Sequence, residues 1–421
     1  MSDTKAPKAR PPLLSLDEAI SNVLAGAQPR LPAERVSTFE ADGRVLAQDV
    51  VSGLTVPPRD NSAMDGYAVR SADCAPQGTI LSIAQRIPAG TVGTTLSPGT
   101  AARIFTGAQI PEGADAVVMQ EDTAALDAEG EQDAFGRVRI EVPPPTGQWI
   151  RRAGEDVTAG DVVLHRGERL TPQALGLAAS VGMDALEVSR RPRVALLATG
   201  DELVVPGDVA PQDMKPGTIY NSNRFFMRAL LRRLGCEVTD LGLVPDKREA
   251  TIEALRQAAA SSDVIITTGG VSVGEEDHVR AAVQWLGTLD VWSVAMKPGK
   301  PFAYGRIGDA HICGLPGNPV SSLMTFLLLV RPFLLALQGA TQVALQPVLV
   351  RADFDWPRPD RRREFLRARR NGAGGLDLFP NQSSGVLTSA VWGDGVIDTP
   401  AGQPIKAGDM VPFISFASLL A

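Results

Sequence analysis

Two aspartates stand in the polar run PPRDNSAMDGYAVR, residues 57–70, where Asp60 and Asp65 lie between Pro57-Pro58 and the strand-like GYAV. A bland loop needs neither a fixed pair of carboxylates nor a buried-type methionine such as Met64. If Asp60 is a working acid, the prolines stiffen its approach, while Met64 and Tyr67 anchor the loop in a packed wall. Asp65 is then expected to accept backbone hydrogen bonds that fix the turn.

A denser set of chemistry-bearing residues follows Arg193. Buried strands there run into the loops TGDEL, VPDKR, TTGGVSVGEEDHV, KPGKP and GLPGNPVSS. Open α/β sheets bind ligands at the carboxyl ends of their strands, so this concentration of glycines, acids and lysines carries more weight than any one motif. Gly269 and Gly270 let backbone N–H groups approach an anion, and a helix opening near Asp277 offers its positive end. The string is neither a Walker A loop nor a G-x-G-x-x-G fingerprint, and alone it fits an ordinary strand-to-helix turn equally well. Glu275, Glu276 and Asp277 shift that balance, because three acids beside an anion repel it unless Mg²⁺ bridges them. Glu202 and Asp246 end neighbouring strands and can join the cluster; as lone acids each reads as a solvated cap.

Lys297 and Lys300 share one turn whose prolines deny it helix or strand alternatives, although a surface turn is the plainer reading. GLPGNPVSS offers a second helix start with Ser321 and Ser322 in its first turn, an anion site if the lysines face it. One cleft with two anion pockets and a carboxylate cluster suits a metal-assisted reaction on a phosphorylated compound and a second oxyanion. Further on, RPDRRREFLRARR is an arginine run whose composition alone favours a solvated hairpin or a nucleic-acid patch. Arg367 stands apart there, among Phe365 and Leu366.

The elements that must position these residues are legible in outline. At 421 residues the chain exceeds one compact core. MSDTKAPKARPP has charge and proline without an apolar stretch, which predicts disorder and no signal peptide. Leu323–Leu337 reads as a buried, kinked helix, too short to span a bilayer and interrupted by Arg331 and Pro332. Three scattered cysteines and three scattered histidines argue for a reducing cytoplasm and against zinc or a Ser-His-Asp triad. A net charge of −7 speaks against nucleic acid as the main partner, and no segment calls for a membrane.

Two amphipathic helices are expected over SLDEAISNVLAGA and STFEADGRVLAQDVV, then β-rich text over 66–149, and a helix after Thr171-Pro172. Strand and helix alternation from Arg193 predicts an α/β parallel sheet. Gly, Pro and short apolar runs after Gly339 predict a small terminal β-barrel.

Taken together, DNSAMDGYAV, RIFTGAQIPEGADAVVMQED, RRAGED, TGDEL, GTIYNSN, TTGGVSVGEEDHV, KPGKPFAYG and GLPGNPVSS resemble the molybdopterin molybdenumtransferase family, MoeA in bacteria and the E domain of gephyrin in animals. The similarity runs in order from about Leu14 to the end. It implies a homodimer of four-part subunits. The parts would be a discontinuous mixed helical and dimerisation domain over 13–54 and 150–190, a β-rich insertion over 55–149, a molybdopterin-binding α/β domain over 191–338 and a β-barrel over 339–421.

The implied reaction is Mg²⁺-dependent insertion of molybdate into adenylylated molybdopterin with release of AMP. The implied catalytic residues are Asp60, Thr106, Asp156, Glu202, Asp246 and Asp277, with Glu202, Asp246 and Asp277 positioning the metal. Gly269, Gly270, Ser272, Gly274, Lys297, Lys300, Pro316, Asn318, Pro319, Ser321, Arg367 and Ser384 would hold the pterin phosphate and molybdate. Further implied partners are the molybdopterin adenylyltransferase and the molybdoenzymes that accept the cofactor. His278, Lys247 and WGDGVIDTP depart from the family pattern. Rival readings are the adenylylation step itself, which the extra β text and DNSAMDGYA disfavour, and a gephyrin-type scaffold, for which no binding extension is present.

Overall fold

The computed structural model describes residues 13–28, 30–127, 135–270 and 278–420. The N-terminal run expected to be disordered therefore lies outside the described residues.

The central unit is a six-stranded sheet of β1 (Arg193–Thr199), β2 (Glu237–Val244), β3 (Val264–Thr268), β4 (Thr288–Ser293), β5 (Pro301–Ile307) and β6 (Ala310–Leu315), in the spatial order β2-β1-β3-β6-β5-β4. Near-continuous apolar runs such as VALLA form strands covered on both faces. On one face Val194, Leu196, Ile266 and Cys313 pack with Met227 and Leu231 of a helix over Ser222–Arg233 and with Phe326 and Phe333 of a helix over Pro319–Leu337. On the other, Ala195, Leu197, Ile265 and Ile312 meet helices over Arg248–Ser261 and His278–Leu286.

The expected parallel sheet is corrected in one respect. Strand β5, absent from the sequence reading, runs antiparallel to both β4 and β6. Its link to β6 is only the Gly308-Asp309 turn, with Gly308 at φ 57°, too short for the crossover that parallel strands require. The other strands share one direction, so TGDEL, VPDKR, TTGG, KPGKP and GLPGNP all emerge at the same edge.

The helix over Pro319–Leu337 begins earlier than expected. Its 19 residues are long and apolar enough to cross a membrane, which overturns the argument from length, but 89% of its apolar window is buried inside the protein. It is a core helix with a π stretch at Phe326–Val330. Pro332 lacks an N–H and crowds the carbonyl four residues back, at Leu328, which accounts for the break in the regular ladder. Arg331 is buried because its Nε donates to the Leu419 carbonyl at 2.8 Å.

The flanking unit holds less helix than expected. STFEADGRVLAQDVV forms no helix beyond a short 3₁₀ turn at Thr38–Glu40. Gly43, at φ 69°, turns the chain, Val45 and Leu46 bridge to Arg169 and Val188, and the β-branched Val50–Val51 pairs with Val162–Leu164. Ala33–Ser37 pairs with Ala185–Ser189, beside the helix Pro172–Ser180. The first expected helix, Leu16–Ala25, has a Ser15/Glu18 capping box. Its Leu16, Ala19 and Val23 join the α/β core rather than this unit, and Leu14 bridges to Val294.

The insertion is one six-stranded sheet, ordered Ala116–Met119, Gly66–Val69, Thr100–Ile104, Thr79–Ile87, Arg137–Ile140, Thr123–Leu126. In the C-terminal unit, Val348–Arg351, Met410–Ser415, Gly395–Thr399, Arg363–Arg370 and Leu376–Leu378 pair successively, and an Ala352–Leu376 bridge closes the sheet on itself.

The docking of the first helix yields a test. A Cβ at Gly26 would lie 2.1 Å from the Tyr304 hydroxyl, which is itself 2.9 Å from His311 Nδ1. Gly26→Ala should therefore destabilise the protein by about 1–3 kcal/mol through overpacking, despite alanine's better helix propensity. Denaturant unfolding checks this, and Tyr304→Phe in the same chain should recover part of the loss.

Candidate functional site

Positions at the sheet edge follow from the strand register. Thr199 of β1 lies opposite Val244 of β2, so Glu202 and Asp246 sit just beyond adjacent strand ends. Gly200, at φ 141°, lets the Glu202 carboxylate fold back over it, because a Cβ there would lie 2.5 Å from Glu202 Oε2. Gly269 and Gly270 follow β3 at φ 88° and 67°. At Gly270 a Cβ would stand 2.6 Å from Val279 Cγ2 and 2.9 Å from Thr199 Oγ1. Glycine is thus required there both for backbone conformation and for closeness. Ser272, Gly274, Glu275, Glu276 and Asp277 lie outside the described residues.

Glu202 is exposed and Asp246 half-buried, and among the described residues neither carboxylate has a hydrogen-bond or ionic partner. No group of three metal-ligating side chains occurs among the described residues. Two free carboxylates on paired strand ends nevertheless fit Mg²⁺, which is commonly bound through one or two carboxylates plus substrate phosphates.

A second assembly forms where KPGKP, the start of the Pro319–Leu337 helix and the C-terminal strands meet. Pro316 is buried, Asn318 is the exposed N-cap, Pro319 opens the helix, and Ser321 is buried two residues on. Gly299, at φ 113°, lies against the first turn: a Cβ there would be 2.7 Å from Thr325 Oγ1 and 3.4 Å from the Ser321 carbonyl. The Val320 N–H donates to the Ser384 carbonyl at 2.9 Å, bringing the NQSSG loop to the helix start.

Arg367 supports that loop from below. It is 1% exposed; its Nε donates to Ser389 Oγ at 3.1 Å, Nη1 to the Phe365 carbonyl at 3.1 Å and Nη2 to the Ser383 carbonyl at 3.3 Å. Burial lowers its pKa to about 10. Among the described residues no carboxylate forms an ion pair with it. A buried charge without an ion pair is costly; Glu364 favours its charged form from a distance, and three acceptors leave two of its five N–H groups without a partner among the described residues.

Lys297 differs from expectation. Met296–Lys297 pairs with Arg363–Glu364, which brings its Nζ to 3.1 Å from Glu364 Oε1 and 3.4 Å from Asp360 Oδ2. Glu364 is 1% exposed and also accepts from Trp356 Nε1 and the Asp360 N–H. The Arg362 guanidinium, aided by Lys297, holds the Asp360 carboxyl well below the usual range. Lys297 thus carries two carboxylates where an oxyanion was expected. Lys300 is exposed on a groove of about 570 Å³ that Arg361 and Arg362 also line.

The third set lies in the insertion and its neighbour loops. Asp60 accepts from the Ala153 N–H at 2.8 Å and from Arg152 Nη1 at 2.7 Å; these bonds, the backbone one foremost, lower its pKa. The Asp60 carbonyl accepts from Ile110 N–H, tying this loop to the one that carries Thr106. Asp65, expected to fix its own turn through backbone N–H groups, accepts instead from the Thr106 N–H at 2.8 Å and hydroxyl at 2.7 Å, which ties its turn to a separate loop. Asp156 is exposed on the adjoining loop, whose N–H reaches the Val56 carbonyl at 3.2 Å. Among the described residues no hydrogen bond or ion pair joins Asp60, Thr106 or Asp156 to the other two assemblies.

Arg152 and Glu364 escaped the sequence reading. Glu364, a lone acid at the head of the apolar EFL, carried the same signal that exposed Arg367.

Three family models match consecutive parts of the chain: the MoeA N-terminal region (domain I and II) over 14–182, a probable molybdopterin binding domain over 195–336, and the MoeA C-terminal region (domain IV) over 350–416. A molybdopterin molybdenumtransferase from Synechococcus elongatus is 38% identical over 94% of this chain and 97% of its own. Another, from Haemophilus influenzae, is 45% identical over 78% and 79%. A crystal structure of a molybdopterin biosynthesis MoeA protein from Pyrococcus horikoshii superposes with a TM-score of 0.80 at 28% identity, covering 96% of this chain and all of that one. The chain belongs to the molybdopterin molybdenumtransferase family of transferases.

Proposed function

We propose that this protein inserts molybdenum from molybdate into adenylylated molybdopterin, with Mg²⁺-dependent cleavage of the adenylate and release of AMP. The observation that carries the reading is Arg367, a buried cation that forms no ion pair among the described residues, set beneath a helix start that is covered by a glycine turn. Glu364 favours its charged form from a distance, and molybdate supplies the direct negative partner. Arg367 donates to it, Ser321 and Ser384 orient it, and Lys300 attracts it from the adjoining groove. Gly269 and Gly270 give backbone N–H groups room to approach the pterin phosphate. Glu202 and Asp246, joined by Asp277, would hold Mg²⁺, which supplies neutralising charge at the phosphoanhydride.

Among the described residues, no hydrogen bond or ion pair joins Asp60, Thr106 or Asp156 to the cleft within one subunit. A homodimer in which they complete the partner's cleft gives them a substrate. A cytoplasmic setting accords with three buried free cysteines.

The direct test supplies purified protein with adenylylated molybdopterin, Mg²⁺ and molybdate. AMP release should depend on molybdate, and release without it would remove the insertion reading. Arg367→Met should raise the molybdate requirement at least tenfold while the melting temperature stays within a few degrees, because a well-packed apolar side chain replaces a buried charge without an ion pair. A large fall in melting temperature without a change in molybdate requirement would make the arginine a brace only.

Glu202→Gln should lower turnover roughly 10²–10³ fold, the scale of one electrostatic catalytic group, and unchanged turnover at saturating Mg²⁺ would exclude it. Mixing inactive Asp60→Asn and Glu202→Gln subunits tests the shared cleft. Random re-pairing makes half the dimers mixed, each with one intact site, so about a quarter of wild-type activity should return. Verified subunit exchange without recovery would place both acids in one subunit's site.

A further inference from the structure

Among the described residues, four buried polar atoms without partners belong to elements that meet on one face of the sheet, towards its carboxyl edge. They are Asn221 Nδ2, Asn223 Oδ1, Thr268 Oγ1 and Ser322 Oγ. Their residues are 2%, 8%, 2% and 0% exposed. Native proteins leave few such groups, and each unsatisfied one is a standing cost. Asn221 and Asn223 lie at the N-terminus of the Ser222–Arg233 helix, Thr268 ends β3, and Ser322 lies in the first turn of the Pro319–Leu337 helix.

Neither asparagine amide can turn to relieve the deficit. Asn221 Oδ1 accepts from the Arg224 N–H at 3.2 Å as the helix cap, which leaves Nδ2 as a donor. Asn223 Nδ2 donates to the Gly317 carbonyl at 2.7 Å, which leaves Oδ1 as an acceptor and aims the amide at the GLPGNP loop. One helix turn therefore carries a spare donor and a spare acceptor. A phosphate or molybdate cannot satisfy both, because the Asn223 oxygen has no proton to give and repels an anion. A neutral –NH–C(=O)– edge satisfies both at once.

We propose that Asn221 and Asn223 recognise the lactam edge of the substrate's pterin ring, Asn223 Oδ1 accepting from N3–H and Asn221 Nδ2 donating to the 4-oxo group. Thr268 and Ser322, whose hydroxyls both donate and accept, serve the remaining ring nitrogens. This rests on the proposed function for the identity of the heterocycle. The helix N-terminus adds a favourable field for the 4-oxo oxygen.

The test measures fluorescence titration of 6-hydroxymethylpterin and of 2,4-diaminopteridine, whose 4-amino group reverses the donor and acceptor order. Wild-type protein should prefer the 4-oxo compound about tenfold or more, as sites built to hydrogen-bond a group reject analogues lacking it. Asn221→Asp keeps the helix cap but replaces the donor by an acceptor, so the preference should shrink or invert. Asn221→Ser also keeps the cap and should weaken the 4-oxo compound about tenfold while leaving AMP and molybdate binding unchanged.

An unaltered preference in Asn221→Asp, no preference in wild type, or no pterin binding at millimolar concentration overturns the proposal. So does a loss confined to AMP, which would assign the pair to the nucleotide. Because these are binding measurements, a switch in preference upholds the inference even if molybdate-dependent AMP release fails, and retained turnover with an unchanged preference sinks the inference alone.

Discussion

Met296 and Lys297 leave the edge of the α/β sheet and run parallel to Arg363 and Glu364 of the C-terminal strands. Everything assembled around the helix start depends on that pairing. The Lys297 ammonium closes on Glu364, a carboxylate otherwise sealed from water. A buried acid of this kind is tolerable only when its oxygens are met. Here Trp356 and the Asp360 backbone donate to one oxygen and the Lys297 ammonium pairs with the other, so breaking the pairing would strand a charge as well as a two-residue backbone ladder. The docked strands then carry Arg367 beneath NQSSG, and NQSSG caps the Pro319–Leu337 helix through Ser384.

That arrangement divides labour between two kinds of cation. Lys297 is neutralised by carboxylates and acts as a fastener, whereas Arg367 is held by neutral carbonyls and a hydroxyl and, among the described residues, forms no ion pair, with Glu364 acting on its charge only at longer range. Guanidinium suits the second task, since its rigid fork can be fixed by some N–H groups while others remain available. On the sheet edge the reverse holds. Among the described residues Glu202 and Asp246 are acids without cationic partners, beside the glycines at 269 and 270.

How much of this was legible follows from the range of each interaction. The edge loops were readable because apolar strand runs and polar loops alternate locally. Strand β5 was missed because PFAYGRI is compatible with either direction, and its reversal is decided only by the two-residue turn at Gly308-Asp309. STFEADGRVLAQDVV has helical composition, yet its Val45, Leu46 and Val50 find partners far along the chain, and tertiary pairing overrode local propensity. Arg367 was visible as a charge inside an apolar run. The partners of Lys297 were not, since they lie more than sixty residues away and nothing in KPGKP specifies them.

Asp60 belongs to a pair of loops whose polar side chains are fixed by one another. Its carboxylate is fixed by the Ala153 N–H and Arg152, and the hydroxyl of Thr106 is fixed by Asp65. Side chains locked by neighbours lose little entropy when they engage a ligand, and that preorganisation has no use at an idle surface. Under the proposed reaction, chemistry at a phosphoanhydride demands alignment to within about an ångström, and a loop pair fixed in this way meets that demand only where the units are placed to bring it to a substrate. In the proposed homodimer a two-fold axis would set that placement, bringing the same loop pair to each partner's cleft.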